Sequence, residues 1–166
     1  MRILDVGCGT SKTEGAIGID MVPLSEVDVL ADAGRPPYPF ADNSFDAVYM
    51  LDVIEHLPDT IGVMEEIYRI ARPGAHVSIR VVNWNHRYAA MDPTHVRFFT
   101  ENSFDFFGER VNRSYYTHAR FGVERIDYIF DAKARRWIRS THVLRLLGSY
   151  LCNIVQGLKF DLRVLK

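Results

Sequence analysis

The run Ile3-Leu4-Asp5-Val6-Gly7-Cys8-Gly9-Thr10 joins a short apolar segment to a turn holding two glycines. Lacking side chains, Gly7 and Gly9 let the backbone approach a ligand closely and reach positive φ. A Gly-x-Gly alone serves a tight turn without ligand equally well. Three further acids follow short apolar runs, and they change that balance. Asp20 closes Gly18-Ile19-Asp20, where a carboxylate can accept two hydrogen bonds from ribose hydroxyls. Asp32, in Leu30-Ala31-Asp32-Ala33, is placed to meet the exocyclic amine of an adenine. The third acid opens Asp52-Val53-Ile54-Glu55-His56-Leu57. Singly each acid is a solvated strand end; in this order they point to a nucleoside-bearing ligand.

Proton chemistry has three candidates: Glu55, His56 and His95, the last within Met91-Asp92-Pro93-Thr94-His95-Val96-Arg97-Phe98-Phe99. Histidine titrates nearest neutrality and makes the better base. His56 serves as well for orienting a loop, and for His95 a pocket-lining or loop-fixing role is the preferred reading. The aromatics Trp84, Tyr88, Phe98, Phe99, Phe104, Phe106 and Phe107 belong to the core by default, with two or three left for an apolar acceptor pocket. No Cys/His cluster has the spacing of zinc ligands, so no metal is expected. Cys8 and Cys152 lie far apart and read as reduced thiols of a cytoplasmic protein.

Positioning these residues requires buried parallel strands. Short apolar runs flanked by Gly, Pro, Asp or Asn predict strands at 2–7, 16–21, 28–31, 45–51 and 76–82. Between the last two, Ile61, Met64, Ile67, Tyr68 and Ala71 recur at helical spacing over 58–71. Arg72-Pro73-Gly74 then ends the helix. Strand, helix and strand with short links imply a right-handed crossover. Thr100 is a plausible N-cap for a short helix reaching Phe107. Two more strands are expected at 122–131 and 158–165, with a helical stretch over 133–156 between them.

The 166 residues suit a single domain, with a cofactor-binding half of about 1–82 and a substrate or lid half of about 83–166. No run of about 20 apolar residues is present, and the chain opens on a strand-like segment rather than a leader. Residues 1–75 carry 5 Lys/Arg against 13 Asp/Glu, whereas residues 76–166 carry 15 against 8. The acidic half suits a cationic small ligand. No clustered basic run or recognition motif points to nucleic acid.

The pieces Leu-Asp-Val-Gly-Cys-Gly, Gly-Ile-Asp, Pro-Phe-Ala-Asp-Asn-Ser-Phe-Asp, Glu-His-Leu and Met64–Gly74 occur in this order over residues 2–107. Together they resemble the class I S-adenosylmethionine-dependent methyltransferases, especially the branch related to ubiquinone and menaquinone biosynthesis methylases. The resemblance implies a Rossmann-like α/β three-layer sandwich with a mostly parallel seven-stranded sheet and an antiparallel carboxyl-terminal strand. It implies S-adenosyl-L-methionine as cofactor and a small-molecule acceptor. Asp5, Gly7, Cys8 and Gly9 would sit near the methionine part, Asp20 at the ribose, Met21 beside adenine, Asp32 and Ala33 at the adenine edge. Leu51, at the end of the fourth strand, completes the set.

Two departures stand out. Ser11 replaces the family's usual third glycine, and only Thr10–Gly15 remain where a helix is expected between the first two strands. The family's amino-terminal roof over the pocket is missing too. For residues 133–156 packing against the protein's own sheet is the default reading; they are nevertheless expected to act as a lid or partner surface in place of that roof, against a second subunit or an anionic membrane. A nicotinamide oxidoreductase is disfavoured because Lys12 occupies the position of its final fingerprint glycine. The alternative of a different class is a methyltransferase-fold binding module with a decayed cofactor site.

Overall fold

The computed structural model describes residues 1–108 and 115–166. Seven strands form one sheet: β1 Ile3–Val6, β2 Ala16–Asp20, β3 Val29–Leu30, β4 Phe45–Leu51, β5 Ala71–Val82, β6 Phe121–Phe130 and β7 Val155–Val164. Their spatial order is β3-β2-β1-β4-β5-β7-β6. β1 lies in the middle because three of its four residues are fully covered, as a strand packed on both faces requires. It pairs in parallel with β2 and β4, and β5 continues the parallel set beside β4. β7 runs antiparallel to both neighbours, β5 and β6. The expected mostly parallel seven-stranded sheet with one antiparallel carboxyl-terminal strand is thus present.

Helix α1, Thr60–Ile70, makes the crossover from β4 to β5. Asp59 caps it by accepting from the Gly62 N–H at 2.9 Å, which starts the helix two residues later than periodicity suggested. Val63, Met64, Ile67 and Ile70 form its covered face. β5 begins at Ala71, earlier than the expected 76, and its register against β4 shifts between Phe45 and Ala47. The other crossovers on the acidic side carry no helix. Residues 7–15 make a loop instead, held where Asp5 accepts from the Thr13 N–H at 2.7 Å. Lys12 reaches Asp28 at 2.8 Å across the same loop.

Beyond β5, α2 (Arg87–Met91) and a 3₁₀ turn at Ser103–Phe107 precede β6. Thr100 stands two residues ahead of the turn's own cap position, Asn102, but makes cap-type bonds: its Oγ1 accepts from the Asn102 N–H at 3.3 Å and its N–H donates to Ser103 Oγ at 2.8 Å. The helical stretch expected over 133–156 is two short helices, α3 (Ala132–Trp137) and α4 (Thr141–Gly148). Asp131 and Ser140 each cap a separate start, so the apolar periodicity spans a break. Gly148 then packs so tightly that a Cβ would lie 2.6 Å from Val155 Cγ2. β7 consequently starts at Val155, three residues before the expected strand. Phe99, Phe104, Phe107, Phe121 and Phe160 join the central strands and α1 in one core.

Candidate functional site

Gly7, Asp20, Met21, Asp32, Ala33, Asp52, Val53, His56 and Leu57 line one cleft of about 230 Å³. They lie at or just beyond the carboxyl ends of β1 through β4, the edge at which open α/β sheets bind ligands. Gly7 is required there by space as well as by its φ of 67°: a Cβ would fall 2.5 Å from Val53 Cγ2. Asp20 sends Oδ2 to the Gly9 N–H at 3.0 Å and Oδ1 to the Val22 N–H at 2.9 Å. Those two bonds orient the carboxylate and leave further lone pairs for a ligand's hydroxyls. Asp32 is fixed by the Gly34 N–H at 2.8 Å.

A buried ion pair supports this wall from behind. Glu66, on α1, is buried and accepts from Arg69 Nε at 2.9 Å and from the Tyr38 N–H at 2.7 Å. The Tyr38 hydroxyl in turn donates to the Ala33 carbonyl at 2.8 Å, tying the cleft to the helix. Burial and the Glu66 charge hold the Tyr38 phenol well above its usual range, so it stays protonated as that bond needs.

Not every expected cofactor residue reaches the cleft. Asp5 is buried and directed at the Thr13 N–H, so it shapes the glycine loop instead of lining the opening. Cys8 points the other way, under Gly18, where a Cβ would lie 2.6 Å from its Sγ. Burial and the nearby Asp5 and Asp20 charges raise its thiol pKa. Gly9, at φ 51°, donates to Asp20, and Leu51 lies one residue short of the rim. Val53 and Leu57 are lining residues the sequence did not single out, and Asp52, read there only as the third of the ordered acids, lines the cleft with them. Asp52 carries a positive φ of 59° and accepts from Arg80 Nε at 2.9 Å. Its signal was the one that found Asp20 and Asp32: an acid directly after a buried strand.

The three proton-transfer candidates separate. His56 lines the cleft, and the His95 ring packs against it with centroids 4.7 Å apart. Glu55 turns inward and is 1% exposed. Its Oε1 accepts from the Val82 N–H at 3.2 Å, and its carbonyl accepts from the N–H groups of Val96 and Arg97. Burial, chiefly, raises its carboxyl pKa. Glu55 therefore ties the end of β5 to the His95 segment and does not line the cleft.

The tautomers follow from the partners. Thr94 Oγ1 donates to Asp92 Oδ1 at 2.6 Å and so accepts from His56 Nδ1 at 2.8 Å. His95 Nδ1 faces the Ala89 carbonyl, an acceptor only, at 3.1 Å. Each ring thus keeps its unshared pair on Nε2. Asp92, held below the usual carboxylate range chiefly by the Thr94 bonds, stays charged. One ligand atom from each of His56, Asp92 and His95 lies within 4.8 Å of the others.

A second cavity of about 270 Å³, which shares no lining residue with the cleft, is lined by Asn83, Trp84, Asn85, Asn102, Tyr128 and Arg145 among others. Arg145 stacks over the Tyr128 ring at 4.5 Å. Four of the aromatics expected to supply an apolar pocket, Phe98, Phe99, Phe106 and Phe107, line a third cavity of about 260 Å³ beside Thr60 and Ile61. Phe99, Phe104 and Phe107 are core, while Trp84 and Phe98 stay largely exposed.

Residues 4–79 match the model of a methyltransferase domain. Cycloartenol-C-24-methyltransferase 1 of Oryza sativa is 28% identical over 120 residues, 58% of this chain and 35% of that protein. The chloroplastic tocopherol O-methyltransferase of Arabidopsis thaliana is 32% identical over 109 residues, 52% of this chain and 31% of that protein. The chain spans about a third of the length of these curated relatives. Among solved structures, a SAM-dependent methyltransferase from Archaeoglobus fulgidus superposes with a TM-score of 0.68 at 17% identity, covering 98% of this chain and 85% of that one. Residues 4–79, a little under half of the chain, thus resemble a methyltransferase domain, and the whole chain has the Rossmann-like α/β fold of the solved S-adenosylmethionine-dependent methyltransferase.

Proposed function

We propose that the chain is an S-adenosylmethionine-dependent methyltransferase acting on a small-molecule acceptor. The observation that carries this reading is the cleft itself, where Gly7, three strand-end carboxylates and His56 share one rim. The fit is chemical as well as spatial. Asp20 is oriented by backbone N–H groups with lone pairs to spare for ribose hydroxyls, and Asp32 with Ala33 offers an edge for adenine. When bound, the cofactor supplies a methyl group on a sulfonium, already activated for in-line displacement.

The chain's part is then alignment, exclusion of water and removal of a proton from the acceptor. His56 is the proton acceptor best placed at the rim, with its Nε2 pair free and its ring held through Thr94 by Asp92. His95 packs on that ring and steadies it. Relatives named for action on cycloartenol, tocopherol and a rifamycin support a small organic acceptor. Calorimetry with S-adenosylhomocysteine tests the reading. Asp20→Ala should weaken binding by about 1.5–3 kcal/mol, the value of hydrogen bonds to a charged group. No binding by the unaltered chain at millimolar cofactor would instead establish the binding-module alternative.

A further inference from the structure

The segment 132–156 contains five Lys/Arg and no Asp or Glu, within a chain whose net charge is −1. Its apolar residues are not all buried, as packing on the sheet would demand. Leu144 is covered against the protein, but Trp137 is 84% exposed, Tyr150 82% and Leu146 62%. Val143 and Leu146 stand one turn apart on α4, so they share an outward face. Tyr150 follows in the turn beyond it. The charges of the segment are unmatched within it: Arg135, Arg136 and Arg139 are exposed, and no acid lies between residues 132 and 156.

We infer that α3 and α4 form a docking face for an anionic lipid surface. Charge selects this occupant. A second copy would bring the same five cations against these five, since a two-fold interface apposes like with like. An anionic leaflet instead attracts every one of them, each strengthening attachment about fivefold. Exposed Trp and Tyr suit the headgroup level, where an apolar ring body and a polar tip are both satisfied. Leu146 also lines a cavity beside Glu101 and Tyr128, which shares residues with the one bounded by Trp84. The docking face therefore borders both of these cavities. The docking itself does not rest on the methyl-transfer reading.

Sedimentation with vesicles tests it, and requires no turnover. The whole chain should pellet with vesicles of phosphatidylcholine containing phosphatidylglycerol, and should be released as salt is raised. Pure phosphatidylcholine should hold at least tenfold less. The triple variant R135E/R136E/R139E should lose binding more than tenfold, and Trp137→Ser should weaken it severalfold. Both should keep the parent's melting temperature and S-adenosylhomocysteine affinity, because all four side chains are exposed. Absence of pelleting, equal binding to neutral vesicles or unaltered binding by the triple variant would overturn the inference. So would a dimer in sedimentation equilibrium that Leu146→Glu dissociates, which would give the face to a second copy.

Discussion

At the level of single residues, neighbouring side chains of one motif have opposite surroundings. Glu55 and His56 are adjacent, yet one is sealed inside and the other lines the cleft. Sequence pattern marked the pair but not the division, because a 3₁₀ turn at Ile54–His56 rotates consecutive side chains by about a third of a circle. His56→Ala should lower turnover by about 10² to 10⁴, the usual contribution of a general base, while leaving S-adenosylhomocysteine affinity within a few-fold. A single-turnover assay beside calorimetry separates the two. Glu55→Gln should show itself in stability. The folded carboxyl titrates above its ordinary value near 4.5, so the native state holds its proton more tightly than the unfolded chain. That preference favours folding below the ordinary value and fades as pH rises through the higher one. Relative to the parent, the glutamine variant should therefore gain melting temperature between pH 4 and pH 8. A difference constant over that range would contradict the burial argument.

At the level of elements, the acidic strand ends were readable because each acid follows an apolar run directly. β4 occupies the expected 45–51, and β1 and β2 fall within one or two residues of their expected bounds. What escaped notice was the support. Glu66 falls on the buried side of α1, and nothing in its spacing reveals that Arg69 and the backbone of Tyr38 would enclose it. Arg69→Met leaves Glu66 a buried charge with one partner fewer. It should cost about 3 kcal/mol, at the low end for broken ion pairs because Arg69 is partly exposed. Tyr38→Phe removes only the bond to the Ala33 carbonyl and should cost about 1 kcal/mol. Urea denaturation gives both values. A Tyr38→Phe loss larger than that of Arg69→Met would reverse the assigned order of importance. The helix expected over 133–156 failed for a related reason: hydrophobic spacing does not register caps, and Asp131 and Ser140 each begin a new helix.

Across the whole molecule, rigidity is unevenly distributed. β1, β4, β5 and β7 have both long edges paired and carry the fully covered residues, whereas the loop 7–15 and the segment 132–154 lie outside the sheet's ladders. Amide exchange should follow that division. The central strands should open only with global unfolding, and the two peripheral segments by local events of far lower free energy. S-adenosylhomocysteine should slow exchange in the loop and leave 132–154 unchanged. Uniform slowing would tie the two together. The uneven charge was visible in sequence, but its concentration on an outward face was not, since that depends on where β7 enters the sheet.

That entry has a consequence in time. β7 lies between β5 and β6, pairing His76 with Arg163 on one side and Phe121 with Val164 on the other. Until residues 155–164 have left the ribosome, β5 has an open edge and β6 has no neighbour at all. The nascent chain therefore holds a parallel half-sheet and a stray amphipathic strand, and the two meet only when β7 joins them. Such late, long-range closure slows folding, and it leaves exposed edges as a hazard for association between chains. A chain stopped at Ile154 should aggregate rather than fold, and a synthetic peptide of residues 155–166 added during refolding should rescue part of its solubility. Rescue by a scrambled peptide of the same composition would show that no edge pairing was involved.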